Sequence, residues 1–227
     1  MNIRKLTVAG LMAGALLFAS TAHSAVLSLD FKGFKNGSET GSITVNGGDA
    51  LPNAQAGLFV FDAEVTSGTP EINIFEQIIA FCIEADVILE RPATYELLGA
   101  DVYFSDASKL AKVEQLFSQF LGETGTANTD AAFQLALWEI IHDSSVDFTA
   151  GDFIASGFNG AVALAETWLT SLGSGDSFGL WALRADGTIG IGDESQDLIT
   201  WVPEPGVLAL LGAGLIGFGA MRRRRQA

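Results

Sequence analysis

The chain has very few residues of the kinds that build cysteine- and histidine-based sites. Its 227 residues include one cysteine, Cys82, and two histidines, His23 and His142. A zinc site of the Cys/His type needs three or four such ligands, so this class of site is excluded. A Ser-His-Asp hydrolase would depend on His142, and the chain has no G-x-S-x-G sequence to mark a nucleophile of that kind. We expect no metal ion and no other cofactor.

Basic residues are also scarce, at 12 Lys and Arg against 27 Asp and Glu. Half of the basic residues lie in the two end segments, so residues 26–200 carry six basic and 26 acidic side chains and a net charge near −20. Nucleic-acid binding depends on Lys and Arg that neutralise phosphates, so DNA and RNA are excluded as partners. The acidity favours solubility outside the cell. Calcium capture by the Asp- and Gly-rich segment 184–197 is an alternative, but its spacing departs from that of a calcium-binding loop.

The N-terminal segment has the order of a secretory signal peptide. Arg4 and Lys5 precede an apolar run over Leu6–Phe18, and small residues follow, ending in "AHSA". This order predicts a signal peptide over residues 1–25 that is cleaved within residues 22–25. A permanent membrane anchor is the alternative. The apolar run is shorter than the roughly 20 residues that a membrane span needs, which favours cleavage.

The C-terminal segment, residues 201–227, predicts a second targeting signal. An apolar run over Gly206–Met221 ends in four arginines, which indicates a membrane segment whose basic end stays in the cytoplasm. The Pro-Glu-Pro sequence before it has one backbone N–H in three residues and resists helix formation. A simple tail anchor explains the apolar run and the arginines but not this sequence. The residues concerned are Pro203, Glu204, Pro205, Arg222, Arg223, Arg224 and Arg225.

In these three features, and in their order, the segment resembles the PEP-CTERM sorting signal of Gram-negative bacteria. The resemblance implies recognition by an exosortase-type enzyme, which removes the tail. The protein would then be exported, held briefly in the inner membrane, and delivered to the cell surface or the extracellular matrix of a biofilm. Contact with the membrane would occur only through the C-terminal tail before processing.

The central residues, 26–200, predict one domain of the α+β class. Short alternating segments separated by Gly, Asn, Ser and Pro predict strands in the first half and near residues 180–201. Three segments between them have helical spacing, with Ser105 and either Thr129 or Asp130 as N-caps and Gly173 after the last helix. We therefore expect a β-rich single domain, an antiparallel sheet or barrel, with helices inserted between two groups of strands.

Two short motifs in this domain carry chemistry-bearing residues. The first is "FCIE", which contains Cys82 in a strand-like run, and the second is "FQLALWEI", which begins with Phe133 and Gln134. Gln134 lies four residues before Trp138, so both side chains project from one helix face. A glutamine in so apolar a stretch is costly if it is buried without hydrogen-bond partners.

The two motifs resemble those of thioester domains in bacterial surface adhesins, which have an aromatic-Cys-apolar-acidic strand and a later T-Q-x-A-apolar-W helix. The resemblance implies an internal Cys82–Gln134 thioester in a β-rich domain with helical insertions. Such a bond attaches the protein covalently to an amine or hydroxyl of a partner, which can be a protein or a polysaccharide. Phe133 stands where the family usually has Thr. The residues around the bond would be Phe81, Glu84, Phe133 and Trp138.

Two other interpretations of Cys82 remain. It can be an inert core residue in a non-covalent structural or carbohydrate-binding matrix protein, for which a surface row of aromatics is the expected feature, with Trp168, Trp181 and Tyr103 as candidates. It can also form a Cys82/His142 dyad, although a histidine at a helix C-terminus is more often a partner of the helix dipole. The leading prediction is a non-enzymatic protein.

Overall fold

A computed structural model describes residues 25–70, 74, 76–175, 177–185 and 195–201. The predicted signal peptide, apart from Ala25, lies outside these residues. So do Pro203, Glu204, Pro205 and Arg222 to Arg225. Within the described ranges no helix combines the length and apolar character needed to cross a membrane.

Six antiparallel strands form a closed barrel. Neighbouring strands follow the order β1-β4-β5-β9-β8-β6, and β6 pairs with β1 to close it. Ala25, Leu27 and Leu29 on β1 are buried and alternate with more accessible residues, which is the period-two pattern of a strand with one face in a core. The six strands are β1 Ala25–Phe34, β4 Phe59–Ser67, β5 Gln77–Cys82, β6 Ala93–Gly99, β8 Leu180–Arg184 and β9 Leu198–Trp201.

A second, three-stranded antiparallel sheet has the order β3-β2-β7. Its strands are β2 Glu39–Val45, β3 Leu51–Ala56 and β7 Phe153–Gly157. A Cβ at Gly41 of β2 would come within 2.3 Å of the Phe158 ring, so only glycine allows that close packing. β7 comes between two helices in the sequence, and the predicted arrangement of helices between two groups of strands is wrong at this point.

The helices are α1 Ala100–Tyr103, α2 Ala107–Phe120, α3 Ala127–His142 and α4 Ala161–Ser171. The predicted N-cap of α2 lies one residue too early, and the predicted N-caps of α3 lie too late in the sequence. Asp106 and not Ser105 caps α2 by accepting from the N–H groups of Ser108 and Lys109. Thr126 caps α3 in a reciprocal capping box with Thr129. Helix α1 is a single turn in the first half of the domain, where the sequence predicts only strands.

Helix α3 is the central element of the domain. Every residue from Asp130 to Ile140 is buried, which is the pattern of a helix enclosed on all sides. The helix contacts α2 and α4 and all three strands of the small sheet. Stacking of Phe133 on Phe81, with ring centroids 4.5 Å apart, joins it to the end of β5. The β-rich single domain with a barrel and inserted helices is therefore confirmed, although α1 was not among the three predicted helices. Helix α3 positions the two predicted motifs side by side.

Candidate functional site

Cys82 is the last residue of β5 and is fully buried. It pairs with Leu198 on β9, so its neighbours include the residues that lead into β9. The side chain is a free thiol. Three polar contacts surround the residue, two on its backbone and one on its sulfur.

Gln134 makes both backbone contacts. Its Oε1 accepts from the Cys82 N–H at 2.8 Å, and its Nε2 donates to the Cys82 C=O at 2.8 Å. The side chain thus extends from α3 and pairs with Cys82 as a neighbouring strand would. Gln134 is 1% exposed, and these bonds satisfy the amide that the sequence indicated would be costly to bury.

The sulfur contacts a different glutamine. The Cys82 thiol donates to Gln196 Oε1 at 2.6 Å. This separation is shorter than an ordinary N–H···O bond of about 2.9 Å, although sulfur is the larger atom. The Gln196 Nε2 donates to the Glu84 C=O at 2.5 Å. The carboxamide group of Gln196 is therefore held between the Cys82 thiol and the backbone carbonyl of Glu84.

The short segment that carries Gln196 is fixed on both sides. Ser195 Oγ accepts from the Glu90 N–H at 3.0 Å and lies 2.8 Å from the Tyr95 hydroxyl. Asp197 accepts from the Tyr103 hydroxyl at 2.7 Å and from the Ala185 N–H at 2.7 Å. A carboxamide on so constrained a segment is pre-organised against the sulfur.

Glu84 belongs to the same network. Its Oε2 accepts from the Asp197 N–H at 2.9 Å, so the acidic residue of the "FCIE" motif ties the β5 end to the segment before β9. Burial raises the pKa of the Cys82 thiol, and the nearby Glu84 carboxylate raises it further. The thiol is therefore protonated at neutral pH, unlike a nucleophilic cysteine, whose pKa is lowered by positive neighbours.

The predicted aromatic environment is formed in part. Phe81 stacks between Phe133 and Trp201, with centroids 4.5 and 6.1 Å away. Phe133 gives this aromatic contact and carries no hydroxyl. Trp138 is buried but packs against Phe153 of the small sheet, at 5.9 Å. Its Nε1 has no hydrogen-bond partner among the described residues.

The residues of the other interpretations lie in different surroundings. His142 stacks on Phe153, and burial lowers its pKa, whereas the thiol of Cys82 contacts Gln196. The candidate surface row of aromatics is not formed. Trp168 is buried against Phe120, whereas Trp181 and Tyr103 are half-buried and Tyr103 donates to Asp197. Across the described ranges, no three His, Cys, Asp or Glu side chains cluster closely enough to hold a metal ion.

Gln196 is the site residue that sequence reasoning missed. It lies 114 residues after Cys82, at the start of a segment predicted as a strand and at the end of the Asp- and Gly-rich calcium-loop alternative. The available signal was a polar amide two residues before the apolar pair Leu198 and Ile199. Nothing local distinguishes that amide from an ordinary loop residue, because the β5–β9 pairing that brings it to Cys82 is a long-range contact.

Comparison with known proteins identifies the C-terminal tail. Residues 202–225 match the family model described as the PEP-CTERM protein-sorting motif, which confirms the predicted sorting signal and indicates an exported protein. No curated protein matches the chain. Among solved structures, the thioester domain of the Staphylococcus aureus TIE protein is similar, with a TM-score of 0.41, 14% sequence identity and coverage of 78% of each chain.

Proposed function

We propose that this exported protein forms an internal thioester between Cys82 and Gln196 and uses it to attach covalently to a partner. The observation that carries the proposal is the 2.6 Å contact between the Cys82 sulfur and the Gln196 carboxamide. The sequence motifs predicted Gln134 as the bonded partner. The contacts favour Gln196, since both polar atoms of the Gln134 amide are engaged by the Cys82 backbone.

Bond formation is an exchange of one carboxamide bond for one thioester bond. The Cys82 sulfur adds to the Gln196 side-chain carbon, the C–N bond breaks, and the thiol proton leaves with the nitrogen as ammonia. The Glu84 carbonyl, which accepts from Gln196 Nε2, keeps the departing nitrogen on the side away from the sulfur. The raised pKa of the thiol keeps that proton on sulfur until the exchange occurs.

Gln134 is a positioning residue in this account. Its two hydrogen bonds fix the backbone of Cys82 and so fix the direction of the Cα–Cβ bond. A reacting atom must be held near attack distance for such an exchange to proceed. The helix α3 that carries Gln134 is buried over eleven residues, so it provides a rigid support.

The finished bond would then react with a partner outside the cell. An amine or a hydroxyl of the partner attacks the Gln196 carbonyl carbon, the C–S bond breaks, and Cys82 is released as a thiol. Gln196 is 7% exposed, which protects the bond from water until a partner is bound. Each molecule reacts once, so the protein is not an enzyme. The sorting motif at residues 202–225 supports delivery to the cell surface or extracellular matrix by an exosortase-type enzyme.

The intact mass of the purified full-length chain tests the proposal. The protein should be lighter than its sequence, after any terminal processing, by one ammonia. Methylamine should add to the Gln196 side chain and raise the mass to one CH2 unit above that of the sequence. Released Cys82 should then react with a thiol reagent under denaturing conditions.

Variants separate the two possible bonds. Cys82→Ala and Gln196→Ala should each have the full mass. If Gln196→Ala keeps the deficit and Gln134→Ala loses it, the bonded partner is Gln134, as the motifs predicted. A wild-type chain of full mass would refute both assignments.

A further inference from the structure

A second polar site lies at the other end of helix α3. Glu139 is 2% exposed, and its Oε1 accepts from the Asp147 N–H at 2.7 Å. Its Oε2 is buried without a hydrogen-bond partner among the described residues. An unpaired polar atom at such depth costs about 1–3 kcal/mol, and more if it is charged. This carboxyl group has no part in the proposed thioester.

Glu139 lines a cleft of about 170 Å³ between the helices and the loop after α3. One wall is apolar, formed by Ile140, Leu169 and Leu172. A neighbouring cleft of about 260 Å³ shares four of the lining residues, so the two clefts adjoin. The shared residues are Lys112, Ile140, Asp143 and Ser144.

The charges around Glu139 are mostly negative. Asp143 lines the cleft, and its two oxygens accept from the N–H groups of Asp152 and Phe153. Burial raises the pKa of Glu139 to about 7, and the carboxylates of Asp143 and Asp147 add to the rise. The basic residue on the wall of this cleft is Lys112 on α2, which is exposed, and Lys109 and His142 line the neighbouring cleft. α4 contributes only Leu169 and Leu172 to the lining.

We infer that this cleft is a non-covalent binding site for an alkylammonium group. A rotation of the Glu139 side chain would bring its buried, unpaired Oε2 to the cleft. The ammonium would donate to this atom and offset the repulsion between Glu139, Asp143 and Asp147. The alkyl chain would lie against Leu169 and Leu172, and it is this apolar wall that favours an organic cation over an inorganic one. The site takes either a lysine side chain of a partner protein or a small free amine.

Calorimetric titration of the full-length Cys82→Ala chain at pH 8 tests the inference, because without Cys82 an amine cannot react with a thioester. The probes are n-butylammonium, n-butanol and butyrate. We expect n-butylammonium to bind and the other two to bind at least about 10-fold more weakly, since a charge-assisted hydrogen bond is lost. Equal binding of n-butanol or butyrate would overturn the inference, and so would no binding of n-butylammonium.

The pH dependence of n-butylammonium binding is a second test, and it needs no substitution in the cleft. With a pKa of about 7, the binding-competent carboxylate falls from most of the population at pH 8 to a small fraction at pH 6. The affinity for n-butylammonium should fall roughly 10-fold over that range. An affinity independent of pH would contradict the role of Glu139.

Glu139→Gln keeps the shape of the side chain and its bond to Asp147. It should lower the affinity at pH 8 by roughly 10-fold or more and abolish the pH dependence. Glu166→Gln on the exposed surface of α4 is the matched control and should change neither. Nα-acetyl-lysine amide distinguishes the source of the ligand: tighter binding than n-butylammonium indicates a protein lysine, and weaker binding a free amine. Failure of this site leaves the thioester proposal untouched.

Discussion

The pairing of the Gln134 side chain with the Cys82 backbone gives a prediction whose size follows from the structure. Gln134→Leu keeps a side chain of similar volume but leaves the buried N–H and C=O of Cys82 without partners. Each unsatisfied group costs about 1–3 kcal/mol, so the free energy of unfolding should fall by about 2–6 kcal/mol. In a domain of this size that loss lowers Tm by roughly 5–20 °C.

The assay is thermal unfolding of the full chain in the Cys82→Ala background. This background retains the backbone groups at position 82 and removes any crosslink to Gln196 that would itself raise Tm. Gln77→Leu, at the exposed start of the same strand β5, is the control and should change the stability by less than about 1 kcal/mol. A Gln134→Leu variant that melts with its parent would show that the two hydrogen bonds do not hold Cys82 in place.

Three further predictions concern the scaffold and its pH dependence. Gly41→Ala should cost at least about 2 kcal/mol by urea unfolding because its Cβ meets the Phe158 ring, whereas Gly122→Ala, with open space around it, should be nearly neutral. Thr126→Ala should lower the free energy of unfolding by about 0.5–2 kcal/mol through loss of the α3 cap. An unchanged stability would show that this cap does not stabilise the domain. Since the folded pKa of Glu139 is raised to about 7 from 4.5, its protonated form stabilises the fold below pH 4.5. The free energy of unfolding should therefore fall by about 2–3 kcal/mol as the pH rises from 4.5 to 7. Glu139→Gln should lack this part of the pH dependence.

The sequence was sufficient to predict the class of fold and one of the two residues of the proposed bond, Cys82. Alternating apolar residues on β1 and β6 and helical spacing on α2 and α3 are local patterns, and they were correctly assigned to strands and helices. Closure of the barrel depends on pairing between β1 and β6, which are far apart in sequence. No local pattern distinguishes it from an open sheet. The strand β7 was missed because five residues between two helices give little periodicity.

The site shows the same division between local and long-range information. The motif around Cys82 is local, and so is the apolar helix with one glutamine, so both were found. The contact that matters most joins Cys82 to Gln196 through the pairing of β5 with β9. Of the two glutamines near Cys82, the sequence motif favours Gln134. The tertiary structure shows that Gln134 bonds to the Cys82 backbone and that Gln196 contacts the sulfur.

The bond itself is the central claim, and peptide mapping of the methylamine-treated full-length chain tests it most directly. Methylamine attacks only the carbonyl carbon that the sulfur has activated, so the labelled residue identifies the partner of Cys82. The account predicts an N-methylated side-chain amide on Gln196 and none on Gln134, with Cys82 recovered as a free thiol. Label on Gln134, or an unlabelled chain that was never short of one ammonia, would contradict it.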